Sequence, residues 1–253
     1  MRSLFLTIGL LFASAVSAQE EVVAGLSQNR VSITANFDGS EILIFGAVKR
    51  ETPIPTETPL DVIITVSGPS TPVMVRRKSN RAGIWVNTDA VEVDSAPSFY
   101  AVATTGPLKT ILSSTEDLRH KVSINRAIRS VGAPASITDS ARFTEALIRI
   151  RRENGLYQHL EGKVALADDT LFRTSIALPA NLTEGTYLTR FMLLRDREVI
   201  NSYETQIQVQ KVGLERWLYN LAYETPLVYG LLSLFIAILA GWGASAVFGY
   251  KRS

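Results

Sequence analysis

Few side chains in this sequence could do chemistry. There are two histidines, His120 and His159, and no cysteine. The missing thiol removes thiolate metal sites, iron–sulfur clusters and cysteine nucleophiles. With only two histidines, the sequence has no multi-histidine metal site to offer. His120 stands in Arg119-His120-Lys121, a basic setting that disfavours a bound cation, and His159 between Tyr157 and Glu161 reads as a surface residue. No lysine has a serine three residues before it. Neither a phosphate loop, a glycine-rich dinucleotide turn nor a GxSxG elbow occurs. Three acidic groups, Asp89/Glu92/Asp94, Glu116/Asp117 and Asp168/Asp169, lack the loop spacing that gathers six to eight oxygens around calcium, and read as solvated turns. The sequence therefore predicts a protein that is not an enzyme and needs no cofactor. One basic group remains, Arg76-Arg77-Lys78 with Arg81 close by. It reads as a solvated hairpin edge that resists strand addition, or as a contact for a small anion, a partner or anionic headgroups, through Arg76, Arg77 and Arg81.

The elements that position these residues lie between two apolar ends. Met1-Arg2-Ser3, an apolar run from Leu4 to Val16, and Val16-Ser17-Ala18 ahead of Gln19 have the order of a cleavable export signal. The run is too short for a hydrocarbon core of about 30 Å. No cysteine follows it to carry a lipid. The second run, Leu227 to Phe248, has no charged residue and, at about 1.5 Å per residue, is long enough to span. Trp217, Tyr219, Tyr223 and Tyr229 flank one end, and Trp242 and Tyr250 the other. Aromatic rings favour both interfaces, and Lys251 and Arg252 just beyond predict a cytoplasmic C-terminus.

Ser233, Ala237, Gly241, Ser245 and Gly249 place a small residue at every fourth position of this helix. Such a ridge lets helices approach closely. The surrounding segment is itself rich in small residues, so composition alone also accounts for it. Ahead of the span, Leu214, Trp217, Leu218 and Leu221 share one helical face. That face fits an interfacial helix or one packed on the body, and both readings stand. The 26 basic residues include Arg2, Lys251 and Arg252, which leaves 23 basic against 24 acidic in the body. A near-neutral body argues against a nucleic-acid partner.

The body, roughly 205 residues, is large enough for one or two domains. Its first part alternates with period two: Val31, Ile33, Ala35 and Phe37 against Ser32, Thr34 and Asn36, a turn at Asp38-Gly39-Ser40, then Glu41 to Val48. A Pro-rich connection follows at Thr52 to Pro59. Further short strands are predicted at Leu60–Ser67, Val73–Lys78, Ile84–Asn87, Ala90–Val93 and Phe99–Thr104, with turns at Gly68-Pro69, Ser79-Asn80 and Ala96-Pro97. The period then changes. Thr138 or Asp139 can cap a helix to about Glu153 with Phe143, Leu147 and Ile150 inward and Gly155 closing it. Glu116 to Ile128 fits either a weak helix or a strand. Strands return at Leu171–Leu178, Gly185–Leu194 and Val199–Val209, with Arg195-Asp196-Arg197-Glu198 as a hairpin turn. Between Leu178-Pro179 and Gly185-Thr186-Tyr187 the chain has the look of a late corner in a sandwich.

The expected fold is thus mainly β: an immunoglobulin-like antiparallel sandwich with a helical insertion, plus one C-terminal transmembrane helix. The expected division is a signal at 1–18, a sandwich region at 19–105, a helical or irregular insertion at 106–160 and a β region completing the body at 161–211. A juxtamembrane amphipathic helix at 212–225, the span at 227–248 and a cytoplasmic tail at 249–253 follow.

The layout resembles a family of transmembrane proteins from alphaproteobacteria, with a signal, a periplasmic body and one C-terminal span. The residues that carry the resemblance are Leu26-Ser27-Gln28-Asn29-Arg30-Val31-Ser32-Ile33, Phe37-Asp38-Gly39, Ile44-Phe45-Gly46-Ala47, Gly83-Ile84-Trp85-Val86-Asn87, Pro97-Ser98-Phe99-Tyr100, Leu156-Tyr157, and Leu178-Pro179-Ala180-Asn181 to Gly185-Thr186-Tyr187. The resemblance implies an inner-membrane, single-pass location and no activity. It also implies an accessory role, because such proteins are encoded beside permeases similar to sulfite exporters. The expected function is a membrane-anchored periplasmic interaction or accessory module. Its partners would be the lipid bilayer and a multi-pass membrane protein, or a second copy through the span. The alternative is a periplasmic domain that binds or senses a small anion.

Overall fold

The computed structural model describes residues 20–34, 37–50, 58–132, 137–212 and 214–250; in the last segment the side chains of 214–216, 220 and 244–250 are not described. The expected signal, Ala35 and the residues after Tyr250 lie outside these ranges.

Two sheets form the body. One has four strands in the order β1 (Glu21–Leu26), β3 (Gly39–Lys49), β10 (Leu171–Pro179) and β9 (Ala165–Ala167). The other has six: β2 (Arg30–Ile33), β12 (Glu198–Lys211), β11 (Gly185–Arg195), β4 (Asp61–Ser67), β7 (Tyr100–Thr104) and β8 (Tyr157–Leu160). Alternate side chains of β3 and β10, Ile42, Ile44, Phe172 and Ile176, meet Val62, Ile64, Phe191 and Leu193 of the larger sheet in a shared core. Gly46 gives the Phe172 ring its place, since a Cβ there would stand 2.4 Å from it. Most pairings are antiparallel, as expected, but β2 runs parallel to β12 and β8 parallel to β7. The β7–β8 pair has a topological cause. A parallel neighbour needs a crossover, and the helical segment between β7 and β8 supplies it.

That segment covers the second face of the larger sheet. It holds α1 (Leu108–Ile111), α2 (Ser114–His120), α3 (Ile124–Ala127) and α4 (Ser140–Glu153). Leu108, Ile111, Val122, Ile124, Leu147 and Ile148 pack with Ile63, Tyr100, Val102, Met192 and Leu194 of the sheet. The choice left open for 116–128 resolves as two short helices. In α4 the inward residues are Phe143, Leu147 and Ile148, whereas Ile150 is exposed. Asp139 occupies the cap position without a side-chain cap bond, because its carboxylate is held by Arg77 instead. Gly155 closes the helix region with φ +71°.

The strands predicted at 73–78, 84–87 and 90–93 are one ribbon, β5 (Ser70–Arg81) paired with β6 (Ile84–Pro97). A register shift between Arg77 and Lys78 lets the polar Thr88-Asp89 lie within a strand rather than end one. The turn is Ala82-Gly83, both at positive φ, and not Ser79-Asn80. Asn80 closes it through its side chain, which accepts the Gly83 N–H at 2.9 Å. The turn expected at 195–198 is as read, with Asp196 and Arg197 at positive φ between paired Arg195 and Glu198. The late corner is closed by Tyr187, buried against Phe99, whose hydroxyl donates to the Thr183 carbonyl at 2.8 Å. That is the corner bond expected of a sandwich of this kind.

The first described residue is pinned to both sheets. Arg50, just after β3, donates to the Glu20 carboxylate at 2.6 Å, and Arg195, at the end of β11, at 2.8 Å. All three side chains are nearly buried. Burial pushes the Glu20 carboxyl up, but the hydrogen bonds and charges of Arg195 and Arg50 outweigh it and hold the pKa below the ordinary carboxylate range. A carboxyl whose folded pKa is lowered adds stability above its unfolded pKa of about 4.3, and loses it as pH falls through the folded value. Glu20→Gln should therefore destabilise the body by about 3 kcal/mol at pH 7, the order found when a buried pair loses one partner. In denaturation curves in mild detergent, the gap to wild type should close as the pH falls below about 4. Equal stability at pH 7 would mean that the cluster does not tie the sheets together.

Candidate functional site

Several of the residues that the sequence singled out for chemistry are held by one another or by backbone. Glu116, buried, takes Arg119 at 2.6 Å and His120 at 3.3 Å and accepts the Val199 N–H. It thus joins α2 to the start of β12. Asp117 accepts from the Ser123 backbone and hydroxyl, at 2.7 and 2.8 Å. Asp94 accepts the Val131 N–H, and this bond holds its pKa below the ordinary range. Asp168 and Asp169 sit at positive φ in the turn between β9 and β10. Among the described residues, no group of three or more His, Asp or Glu side chains is placed to hold a metal.

A cleft of about 770 Å³ opens where α1, α2 and α3 meet β8. His159 and Glu161 line it, 3.2 Å apart, and Glu161 also accepts the Leu108 N–H at the start of α1. Arg197 turns back to the carbonyls of Lys109 and Leu112. Ser113 caps α2, and Ser123 is taken by Asp117. The polar groups here hold helices in place. The His159 ring meets a carboxylate, while Ser113 and Ser123 are engaged elsewhere.

The ribbon divides the basic group. Arg77 donates to Asp139 at 2.6 Å and to Asp89 at 2.9 Å, and lies over the Phe143 ring at 5.1 Å. The bonds to Asp139 and Asp89 raise its pKa. Arg77 therefore fastens the ribbon to α4 and is not open to an anion. Arg76, Lys78 and Arg81 are exposed beyond it.

Two surfaces escaped sequence reading. The first is the outer face of the four-stranded sheet. Val23, Leu43, Phe45 and Leu171 are all about half exposed there, and Val23, Phe45 and Leu171 with Ala165 and Ala167 line a shallow apolar trough of about 700 Å³. The alternation in β1, β3 and β10 was legible, but apolar residues occupy both sides of it. The second is the far end of the ribbon, where Ile84, Trp85 and Val86 are consecutive and exposed.

Beyond β12 the chain forms α5 (Leu214–Glu224) and α6 (Pro226–Tyr250). Trp217, Tyr219 and Tyr223 are exposed on α5. The window Pro226–Gly243 has a mean hydropathy of 1.8 with no residue buried, and is the one span-like helix among the described residues. Ser233 and Ala237 lie on its open surface, and a Cβ at Gly241 would meet nothing within 4 Å. Ser245 and Gly249 fall in the helix, but their side chains lie outside the described residues.

The structure has a β-rich body followed, among the described residues, by one span-like apolar helix. Residues 21–250 match the family described as "Putative transmembrane protein (Alph_Pro_TM)". No curated protein matches the chain. The match covers both sheets, the helical layer and the whole of the apolar helix, and the chain belongs to this transmembrane family.

Proposed function

We propose that this is a single-pass inner-membrane protein whose body stands in the periplasm and serves as a non-enzymatic interaction module for a multi-pass membrane protein. The observation that carries the reading is the bare apolar face of the four-stranded sheet, around Phe45. Contiguous exposed apolar surface on a folded body is a signature of an interaction site. The open ridge of Ser233, Ala237 and Gly241, continued in sequence by Ser245 and Gly249, is a second contact within the bilayer. A soluble partner could meet the first surface only. A membrane-spanning partner could meet both, and a shared membrane raises the effective concentration of the second contact once the first has formed. The export signal and the basic residues after the span orient the body outward. The small-anion alternative has less support, because two carboxylates already hold Arg77, one of its three arginines.

Phe45→Glu changes an exposed side chain, so the free energy of unfolding should stay within about 0.5 kcal/mol of wild type. Photo-crosslinks from positions 43 and 171 to a multi-pass protein should be lost. Crosslinks that persist in this variant would remove the sheet face from the interface. Gly241→Leu should leave the body unchanged and weaken recovery of the same partner from mild detergent about tenfold, the equivalent of about 1.4 kcal/mol of lost helix packing. Unchanged recovery would make the ridge a matter of composition alone.

A further inference from the structure

We infer that the tip of the β5–β6 ribbon is a second membrane contact, in which Ile84, Trp85 and Val86 enter the headgroup region of an anionic lipid surface. Arg76, Lys78 and Arg81 would meet the lipid phosphates. The inference rests on the reading that the body stands beside the membrane on its C-terminal helix.

The root of the ribbon is well held. Val73, Val75, Val93 and Ala96 pack toward the helical layer, Arg77 bridges to Asp139, and the Tyr157 hydroxyl donates to the Pro97 carbonyl at 2.8 Å. Past Arg77 no residue is buried on either strand until Val91. An isolated two-stranded ribbon gains little in water. This one nevertheless ends in three consecutive apolar residues, with Ile84 67% and Trp85 66% exposed. A run of that kind on a surface is an error unless it is used. Residue pairing puts Asn80 opposite Trp85 and Arg81 opposite Ile84. Each face of the tip therefore mixes an apolar side chain with polar or basic neighbours. From Arg76 to Thr88 the ribbon has four basic residues and no acidic one. Tryptophan beside arginine and lysine is the composition that settles at a lipid headgroup boundary, and basic side chains are drawn to anionic leaflets.

The topology brings the root of the ribbon to the anchor's end of the body. β4 and β12 are both antiparallel to β11, so they run the same way. Ser67, at the end of β4, is level with Leu188, which pairs with Gln206 of β12. The ribbon leaves the sheet just after Ser67, and the chain leading to α5 and α6 leaves the same end of the sheet after Lys211. The root of the ribbon and the root of the anchor thus share one end of the body.

The chain has no cysteine, so Ile84→Cys creates a single attachment point for an environment-sensitive fluorophore. Full-length protein reconstituted with phosphatidylcholine alone, or with added phosphatidylglycerol, should float with both kinds of vesicle. The label at 84 should be quenched by headgroup-depth nitroxide lipids in the anionic vesicles, with quenching reduced about tenfold by high salt or by R76A/K78A/R81A. A label placed by Glu198→Cys, exposed on the β11–β12 hairpin at the opposite end of the body, should stay aqueous. A chain that floats while position 84 stays aqueous in both vesicles overturns the tip contact and leaves the anchor standing. Quenching that ignores lipid charge and the triple substitution overturns the role given to the basic residues. Protection at 84 in native membranes, but not in vesicles, overturns the lipid assignment in favour of a protein partner. A chain that floats with neither vesicle overturns the anchored body and the tip contact together.

Discussion

The rest of the molecule depends on the six-stranded sheet being covered on both faces. β4 is buried from Val62 to Val66 and β7 throughout, so neither can lie with one face in water. One face is met by the four-stranded sheet and the other by the helices and the root of the ribbon. The second cover is fixed by polar bonds as well as by apolar contact. The buried Tyr100 hydroxyl donates to the Val122 carbonyl at 2.7 Å, and its phenol is pushed up to about 12 by burial. Arg190 of β11 donates to the His120 carbonyl at 2.7 Å, and Glu116 receives the Val199 N–H. Buried polar groups cost free energy unless paired, so these bonds specify where the helices sit. The same demand explains why His120, Glu116 and Asp117, which could do chemistry elsewhere, serve structure here.

Covering the central sheet leaves two surfaces without a cover of their own: the outer face of the four-stranded sheet and the end of the ribbon. Both are apolar where water would favour polar side chains. On a protein with a single membrane helix, both fit one economy of design. In the proposed function the body is held near a surface and near the proteins embedded in it, and each bare patch has something within reach. The proposed module thus acts by position and contact. Several of its ionisable groups, Glu20, Arg77, Glu116 and Asp117 among them, hold the scaffold.

Much of the fold was legible in the sequence, for identifiable reasons. The alternation in β3, β10 and β11, the Asp196-Arg197 turn, the helix ending before Gly155 and the long uncharged C-terminal run all follow local rules. The Tyr187 corner was visible because proline and glycine bracket it. What stayed hidden was relational. The uninterrupted apolar runs of β4 and β7 signal cover on both faces, yet a run of that kind does not say what covers it. The ribbon was read as separate strands because Thr88-Asp89 resembles a turn when nothing tells that both faces are in water. Arg77 looked available until Asp89 and Asp139 came to it from twelve and sixty-two residues away. The parallel edge strand β8 depends on where the crossover returns, which no local pattern encodes. Of the candidate surfaces, the small-residue ridge was legible from its spacing. The apolar sheet face was not, because an exposed Phe45 and a buried Phe172 look alike in one dimension.

The central claim is that the body stands outside the membrane on one C-terminal helix. Protease added to intact spheroplasts tests it directly, with one epitope tag inserted after Asn181 and another after Ser253. The account predicts that the tag in the body is digested from outside, while the C-terminal tag is spared until the membrane is broken. Digestion of the C-terminal tag from outside, or survival of the body in intact spheroplasts, would contradict it.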